Sequence, residues 1–136
     1  MTSPTKLVLD TSAYSHLRAG HAVTLERIAT AQVIVVPVTV LGELEAGFEL
    51  GHRADENRRN LAEFLDEPFV GVLDVTTVTV RHYARTFAAL RRAGTPIPIN
   101  DVWIAAATMA CSGHLLTFDG DYARVPGLDY TLLAPS

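Results

Sequence analysis

Four carboxylates in this chain stand where they could share a cation: Asp10, Glu43, Asp101 and Asp119. Each lies within or at the end of a largely apolar segment, where an uncompensated charge is costly. Carboxylates that converge in one crevice repel one another, and protonation or a cation must relieve that repulsion. Mg²⁺ and Mn²⁺ suit such oxygen-only sites and often share their ligands with substrate phosphates. The pattern therefore indicates a divalent metal site.

Single members of this set also have plainer interpretations. Asn100 and Asp101 stand where the helical stretch VWIAAATMA begins, and both residue types cap helices and suit the positive end of the helix dipole. Taken alone, Asp101 is more readily a cap, and Glu43 an exposed helix glutamate. Glu45 and Glu49, one turn apart, are expected on a different, solvated helix face from Glu43. The set of four, not any single member, favours the metal site.

Short apolar runs alternate with helical patterns along the chain. The predicted strands are KLVLD, VIVVP, FVGVLDV, HLLTFD and YTLL. Helices are predicted from near Ser12, over TLERIATA, over residues 38 to 50, over DENRRNLAEFLDE, from Val78 to Arg92 with Gly94 as the stop signal, and from Asp101 to the SG dipeptide. This alternation predicts one α/β domain over residues 1–136, with a central, mostly parallel sheet of about five short strands covered by helices on both faces.

The predicted sheet brings three of the acids to one edge. In an open α/β sheet, ligands bind beyond the carboxyl ends of the strands, near the point where strand order reverses. Asp10 and Asp119 each close a predicted strand. A helix that runs antiparallel to the strands begins near the same edge, so Asp101 is expected to face the same crevice.

Composition limits the other possibilities. The chain has 136 residues, of which 49% are hydrophobic and 19% charged, as in a packed globular domain. Its longest apolar runs are too short to span a bilayer. No secretory signal is visible, and the single cysteine, Cys111, favours a reducing cytoplasm. The five histidines are scattered, and zinc-binding spacings, Gly-rich phosphate loops and nucleophile elbows are missing.

Four segments in order resemble the successive motifs of PIN domains: LVLDTSAY, VPVTVLGELEAG, PINDVWIAAAT and LLTFDGDYARVPGL. The chain is most similar to the VapC-type toxins of bacterial toxin–antitoxin pairs, from Lys6 to about Leu133. The resemblance implies a ribonuclease that depends on Mg²⁺ or Mn²⁺ and is kept inactive by a VapB-type antitoxin protein.

The resemblance also implies roles for single residues. The four carboxylates match the acidic quartet of the family. Asp10, Asp101 and Asp119 are expected to be the principal metal ligands, directly or through water, and Glu43 is expected to fix a metal-bound water. Ser12 matches a small hydroxyl position that orients Asp10 or a substrate phosphate. Thr117 is expected to share a strand face with Asp119 and to support it. Asp121 is expected either to hold water near the metal or to form a turn, in which Gly120 is free to adopt a positive φ.

RNA binding and association are further expectations. The net charge of −4 argues weakly against a nucleic-acid partner, but a bound cation reverses the local field. Arg91 and Arg92 are candidates for contact with the RNA backbone, although a solvated helix end explains them equally well. The resemblance implies a homodimer, and Trp103, Leu50, Phe48 and the Ala-rich helix offer apolar surface for one, unless they are ordinary core.

Two other functions fit part of the pattern. The acidic crevice could hold a cation or a partner's arginine without catalysis, as a non-catalytic PIN-like binding module. Asp10 could instead be an aspartyl nucleophile for phosphoryl transfer, as in phosphatases of the haloacid-dehalogenase type. Those enzymes carry a second Asp two residues later, where this chain has Ser12, so the nucleophile interpretation is disfavoured.

Overall fold

A computed structural model of the chain describes residues 5–135. Its five strands are β1 (Lys6–Leu9), β2 (Val33–Pro37), β3 (Val70–Leu73), β4 (His114–Thr117) and β5 (Tyr130–Leu132). The helices are α1 (Thr11–Arg18), α2 (Ala22–Thr30), α3 (Val38–Leu50), α4 (Ala54–Leu65), α5 (Thr77–Ala93) and α6 (Ile99–Ala110), with a 3₁₀ helix over Gly120–Arg124. All strand pairs are parallel, and the strand order is β3-β2-β1-β4-β5.

The apolar side chains of the strands alternate between the two faces of the sheet. Leu9, Ile34 and Leu116 pack in one buried cluster, to which α2 contributes Ile28. Val8 and Leu115 belong to the larger cluster, with side chains from α3, α5 and α6. Because both faces are buried, the strands are almost continuously apolar instead of alternating with polar residues. The predicted α/β fold, with a parallel sheet covered on both faces, is confirmed.

Two glycines explain local turns of this fold. Gly94 ends α5 with a φ of 71°, a left-handed conformation that glycine adopts without steric cost. Gly113 leads into β4, and a Cβ at this position would lie 2.8 Å from the side chain of Val8. Glycine therefore allows β4 to approach β1 closely, and this contact joins the two strands that carry the site.

The apolar residues expected on a dimer surface differ in their burial. The Ala-rich part of α6 is core, since Ala105, Ala106 and Ala107 are all buried; the expectation that it offers surface is wrong, because α6 packs directly on the sheet and α5. Trp103 is half-buried and its ring stacks on Tyr83, with centroids 3.9 Å apart. Leu50, by contrast, is 88% exposed.

Phe48 is partly buried at the edge of the larger cluster. Within residues 5–135, no helix has the length and apolar character needed to cross a membrane.

Candidate active site

An acidic cleft lies at the carboxyl ends of the central strands. Strand order reverses between β1 and β4, and Asp10 and Asp119 follow these two strands. The cleft has a volume of about 290 Å³. Its lining residues are Asp10, Thr11, Ser12, Glu43, Asp101, Ile104, Asp119 and Tyr122. All four carboxylates singled out in the sequence therefore face one cleft, and their chemical roles stay predictions.

Asp10 is held at the floor of the cleft by hydrogen bonds to both of its oxygens. It caps α1: its Oδ1 accepts from the backbone N–H of Ala13 at 2.8 Å and from the Ser12 hydroxyl at 2.7 Å. The Thr117 hydroxyl donates to Oδ2. The side chain is only 4% exposed. Burial raises the pKa of Asp10, and the hydrogen bonds from Thr117, Ser12 and Ala13 partly offset that rise.

The hydroxyls of Ser12 and Thr117 join β1 and β4 at the site. Ser12 Oγ accepts from the backbone N–H of Phe118 at 3.0 Å while it donates to Asp10. Thr117 Oγ1 accepts from the backbone N–H of Asp119 at 2.9 Å. Asp119 itself lies beyond the end of β4, so Thr117 contacts its backbone instead of sharing a strand face with its side chain. Both hydroxyl residues support Asp10, and Thr117 also positions Asp119.

Asp101 lies inside the first turn of α6 and does not cap the helix. The helix begins at Ile99, and its N-cap is Pro98, with no side-chain cap. The Pro98 carbonyl accepts from the N–H groups of Asp101 and Val102 at 3.0 and 3.2 Å. The capping interpretation of Asn100 and Asp101 is therefore wrong, because the proline carbonyl starts the helix before either residue.

The Asp101 carboxylate points into the cleft. Its Oδ1 accepts a hydrogen bond from the Tyr122 hydroxyl at 3.2 Å. Burial, followed by the charges of Asp119, Glu43 and Asp10, raises the pKa of Asp101 to about 6, although the Tyr122 hydrogen bond acts in the opposite direction. Burial and the same acidic surroundings raise the pKa of Tyr122, which therefore stays protonated as a donor.

Three carboxylates are close enough to hold one ion. One oxygen from each of Asp101, Asp119 and Asp121 lies within 4.8 Å of the others. Asp119 caps the 3₁₀ helix, with Oδ1 accepting from the backbone N–H of Asp121 at 2.9 Å. Gly120 begins this helix without a positive φ, so the expected glycine conformation is wrong. Since the 3₁₀ helix begins directly after Asp119, the Asp121 carboxylate lies close to that of Asp119.

Glu43 and Asp10 line the cleft without belonging to that group of three. Glu43 is half-buried on α3, and its Oε1 accepts a hydrogen bond from the Thr11 hydroxyl at 2.7 Å. This bond joins α3 to the start of α1 across the cleft. Glu43 is close enough to raise the pKa of Asp101, so it contributes to the crowding of negative charge.

The basic residues lie at the margin of the site. Arg91 and Arg92 are exposed in the last turn of α5 and are not among the residues that line the cleft. The Arg91 guanidinium lies 5.8 Å from the centre of the Phe87 ring. Arg124, which the sequence reasoning did not single out, lies 3.6 Å from Asp121 and donates to the Pro96 carbonyl at 3.3 Å.

Three side chains of the site were missed by reasoning from sequence: Thr11, Tyr122 and Arg124. Thr11 is adjacent to Asp10, and Tyr122 is adjacent to Asp121. For Thr11 and Tyr122, adjacency to an acidic residue of the site is the only signal in the sequence. The partners of Thr11 and Tyr122 lie 32 and 21 residues away, so only the folded chain shows their contacts.

The donor set fits a hard divalent cation. Asp101, Asp119 and Asp121 offer only carboxylate oxygens, the ligand type preferred by Mg²⁺ and Mn²⁺. In the described part of the chain, Asp10, Glu43, Asp101 and Asp119 form no salt bridge, and the pair between Arg124 and Asp121 lies at the rim. A cation in the cleft would thus relieve a repulsion that the surrounding side chains leave uncompensated.

Comparison with known proteins identifies relatives of this chain. Residues 7–128 match the PIN domain family. Ribonuclease VapC5 of Mycobacterium tuberculosis is 30% identical over 130 residues, which cover 93% of this chain and 92% of the relative. The resemblance indicated by the sequence motifs is confirmed.

Solved structures share the fold. DNA-bound VapBC from Salmonella typhimurium matches with a TM-score of 0.84 and 24% identity, over 93% of this chain and 97% of that chain. VapBC-5 from Mycobacterium tuberculosis, a member of the VapBC family of toxin-antitoxin systems, matches with a TM-score of 0.67 and 25% identity, over 96% of this chain and 99% of that chain. The Salmonella likeness establishes the fold alone.

Proposed function

The chain belongs to the PIN domain family, and from that premise we propose that it is a VapC-type ribonuclease toxin that depends on Mg²⁺ or Mn²⁺. Its substrate is RNA in the cytoplasm, and the reaction is hydrolysis of a phosphodiester bond. A cognate VapB-type antitoxin neutralises it. The relative with the matching sequence is named a ribonuclease, which supports this choice among the functions open to an acidic cleft.

One observation carries the proposal: the convergence of Asp101, Asp119 and Asp121 within 4.8 Å, in a cleft that also contains Asp10 and Glu43. An acidic surface by itself would repel a phosphodiester. The same surface attracts RNA once a divalent cation is bound, because the ion reverses the local field. The position of the cleft beyond the carboxyl ends of the strands also fits a substrate site.

The residues of the cleft would have separate roles in the reaction. Asp101, Asp119 and Asp121 would hold the cation, and Asp10, with both oxygens already hydrogen-bonded, would form the base of the cleft and add negative charge near the ion. Glu43, held by Thr11, would orient the attacking water. When bound, Mg²⁺ or Mn²⁺ supplies Lewis acidity that offsets charge on the phosphoryl oxygens.

A wider groove gives the RNA access to these groups. It has a volume of about 480 Å³ and extends outward from Glu43, Asp101 and Asp119 along Pro98, Ile99 and Asn100. Arg91 and Arg92 remain candidates for contacts to the part of the RNA backbone that lies outside the cleft, because both side chains are exposed.

A solved relative supports an antitoxin as a protein partner. VapBC-5 belongs to a toxin-antitoxin system, and its TM-score of 0.67 over nearly the whole chain supports an equivalent antitoxin for this protein. A homodimer is also part of the proposal, and the exposed Leu50, on the same helix as the partly buried Phe48, is one of the apolar surface residues available for it.

A cleavage assay tests the enzymatic proposal. Purified parent protein and Asp101→Asn would be incubated with RNA in Mg²⁺, in Mn²⁺ and in excess EDTA. We expect cleavage by the parent only with metal. Asp101→Asn should cleave more than about 100-fold slower, since losing a ligand exceeds the 10- to 100-fold typical of residues that support ligands. Metal binding without cleavage of any RNA would instead identify a non-catalytic binding module, and cleavage in EDTA would refute the metal dependence.

A further inference from the structure

We propose that Tyr122 is a positioning residue whose hydroxyl aims the Asp101 carboxylate at the cation held with Asp119 and Asp121. This inference rests on the metal dependence proposed above and assigns a role to a side chain beyond the acidic residues. It concerns the phenol hydroxyl alone, since the ring of Tyr122 also belongs to the core.

The hydroxyl is placed by a rigid part of the molecule. Tyr122 is fully buried, with 0% of its surface exposed, and it packs in the cluster that contains Val102 and Ile104 of α6. Its backbone lies in the 3₁₀ helix that Asp119 caps. The ring therefore spans from the segment that carries Asp119 and Asp121 to the helix that carries Asp101.

The orientation of the Asp101 carboxylate depends on a single hydrogen bond, unlike that of Asp10. Asp10 accepts three hydrogen bonds from Ser12, Ala13 and Thr117. Asp119 accepts one from the backbone N–H of Asp121. In the described part of the chain, the side-chain hydrogen bond of Asp101 is the one from Tyr122.

The geometry leaves the other oxygen of Asp101 free for the ion. The Tyr122 hydroxyl occupies Oδ1 at 3.2 Å, and nothing hydrogen-bonds to Oδ2 within residues 5–135. Hydrogen bonds of this kind select one orientation of a metal ligand, and their loss weakens metal binding even though the ligand itself remains. A phenylalanine would fill the same space in the core, so the hydroxyl can be tested separately from the ring.

The experiment compares Tyr122→Phe with the parent, with Asp101→Asn and with Tyr130→Phe. Tyr130 is half-buried in β5, paired in register with Leu115 at the start of that strand, so its variant removes a phenol hydroxyl away from the cleft. The affinity for Mn²⁺ alone would be measured by calorimetry, and the metal-free thermal midpoint by circular dichroism. Rates of RNA cleavage would be split into kcat and KM.

We expect Tyr122→Phe to bind Mn²⁺ about tenfold more weakly than the parent, with a lower kcat and an unchanged KM for RNA. Tyr130→Phe should bind Mn²⁺ as the parent does, and Asp101→Asn should bind it far more weakly than either. Equal Mn²⁺ affinity of Tyr122→Phe and the parent would overturn the inference.

Three further outcomes would also overturn it. A lower metal-free midpoint with unchanged affinity, or failure of Tyr122→Phe to fold, would make the hydroxyl purely structural. If the parent itself binds no Mn²⁺, the proposed metal dependence fails first, and the inference falls with it. These failures are distinguishable, because only the last one is a defect of the parent protein, whereas the others are defects of Tyr122→Phe.

Discussion

Helix α3 carries glutamates into two acidic regions that differ in how their charge is balanced. On its outer face, Glu45 and Glu49 both pair with Arg58 of α4, with 2.8 Å between Arg58 Nε and Glu45 Oε2. Both glutamates are exposed, and Arg58 is half-buried between them. Glu43 instead faces the cleft, where its carboxylate accepts a hydrogen bond from the neutral hydroxyl of Thr11.

The difference shows which acidic cluster is built for a ligand. Around Arg58, a guanidinium already satisfies two carboxylates, and water screens the rest. In the cleft, burial and then the crowding of carboxylates raise the pKa of Asp101. Among the residues that the structure describes, the salt bridge at this site is the one between Arg124 and Asp121, at the rim. Uncompensated charge in a half-buried place, more than the number of acidic residues, marks the site.

The sharpest contrast should appear on adding metal. At about 100 times its Kd, Mn²⁺ should stabilise the folded parent by about 2.7 kcal/mol, which raises the thermal midpoint by on the order of 10 °C. Asp101→Asn should lose most of this shift, because it replaces one of the three clustered carboxylates with a neutral amide. Thermal melts with and without Mn²⁺ measure it. An equal shift in both proteins would place the bound ion outside the cleft.

The pH dependence of the metal-free protein should separate the two regions next. Burial and the neighbouring carboxylates raise the folded-state pKa of Asp101 to about 6, against 3.8 for an unperturbed aspartate. Between these values the folded state keeps a proton that the unfolded chain releases, so this residue's contribution to stability falls as pH rises from about 4 to about 6 and stays low above that. Allowing for solvent around a half-exposed carboxyl, the loss is about 1–2 kcal/mol.

Urea denaturation of the parent and Asp101→Asn at pH 4 and pH 7 measures this loss. We expect the variant to gain about 1–2 kcal/mol relative to the parent between the two pH values, because Asn carries no titrating group. If the difference in unfolding free energy between the two proteins is the same at pH 4 and pH 7, the pKa of Asp101 is not raised in the folded state.

The smallest effect is expected at the paired region. Glu45→Gln removes one negative charge, as Asp101→Asn does, but from an exposed ion pair. The thermal midpoint should move by less than about 2 °C, and both the Mn²⁺ response and RNA cleavage should match those of the parent. A weakened Mn²⁺ response in Glu45→Gln would show that long-range charge, and not the geometry of the cleft, controls metal binding.

The convergence of the acids was accessible from sequence because it depends on topology. Parallel strands end at one edge, and an antiparallel helix begins there, so Asp10, Asp101 and Asp119 had to meet once the alternation of strands and helices was recognised. The same reasoning predicted all five strands. It predicted β3 as FVGVLDV, longer than the observed Val70–Leu73, because β propensity continues past the last residue paired with β2.

Details that depend on tertiary contacts could not be predicted from the sequence. The sequence PIND offers two good capping residues, but the chain enters α6 at Pro98, and this shifted the helix start. DGD reads as a turn, whereas Asp119 uses it to begin a 3₁₀ helix. The bonds from Tyr122 to Asp101 and from Thr11 to Glu43 require packing between distant segments, which no local pattern encodes.

The buried anchoring of Asp10 has a practical consequence for anyone who needs a harmless form of this protein. Asp10 joins α1, β1 and β4 through Ser12, Ala13 and Thr117, so truncating it would leave buried donors without an acceptor and damage the scaffold along with the activity. Asp101 is more exposed than Asp10 and accepts one hydrogen bond, from Tyr122, so fewer contacts of the fold depend on it. A disarmed protein for capturing the proposed antitoxin should therefore carry its substitution at Asp101, where fewer contacts of the fold are lost.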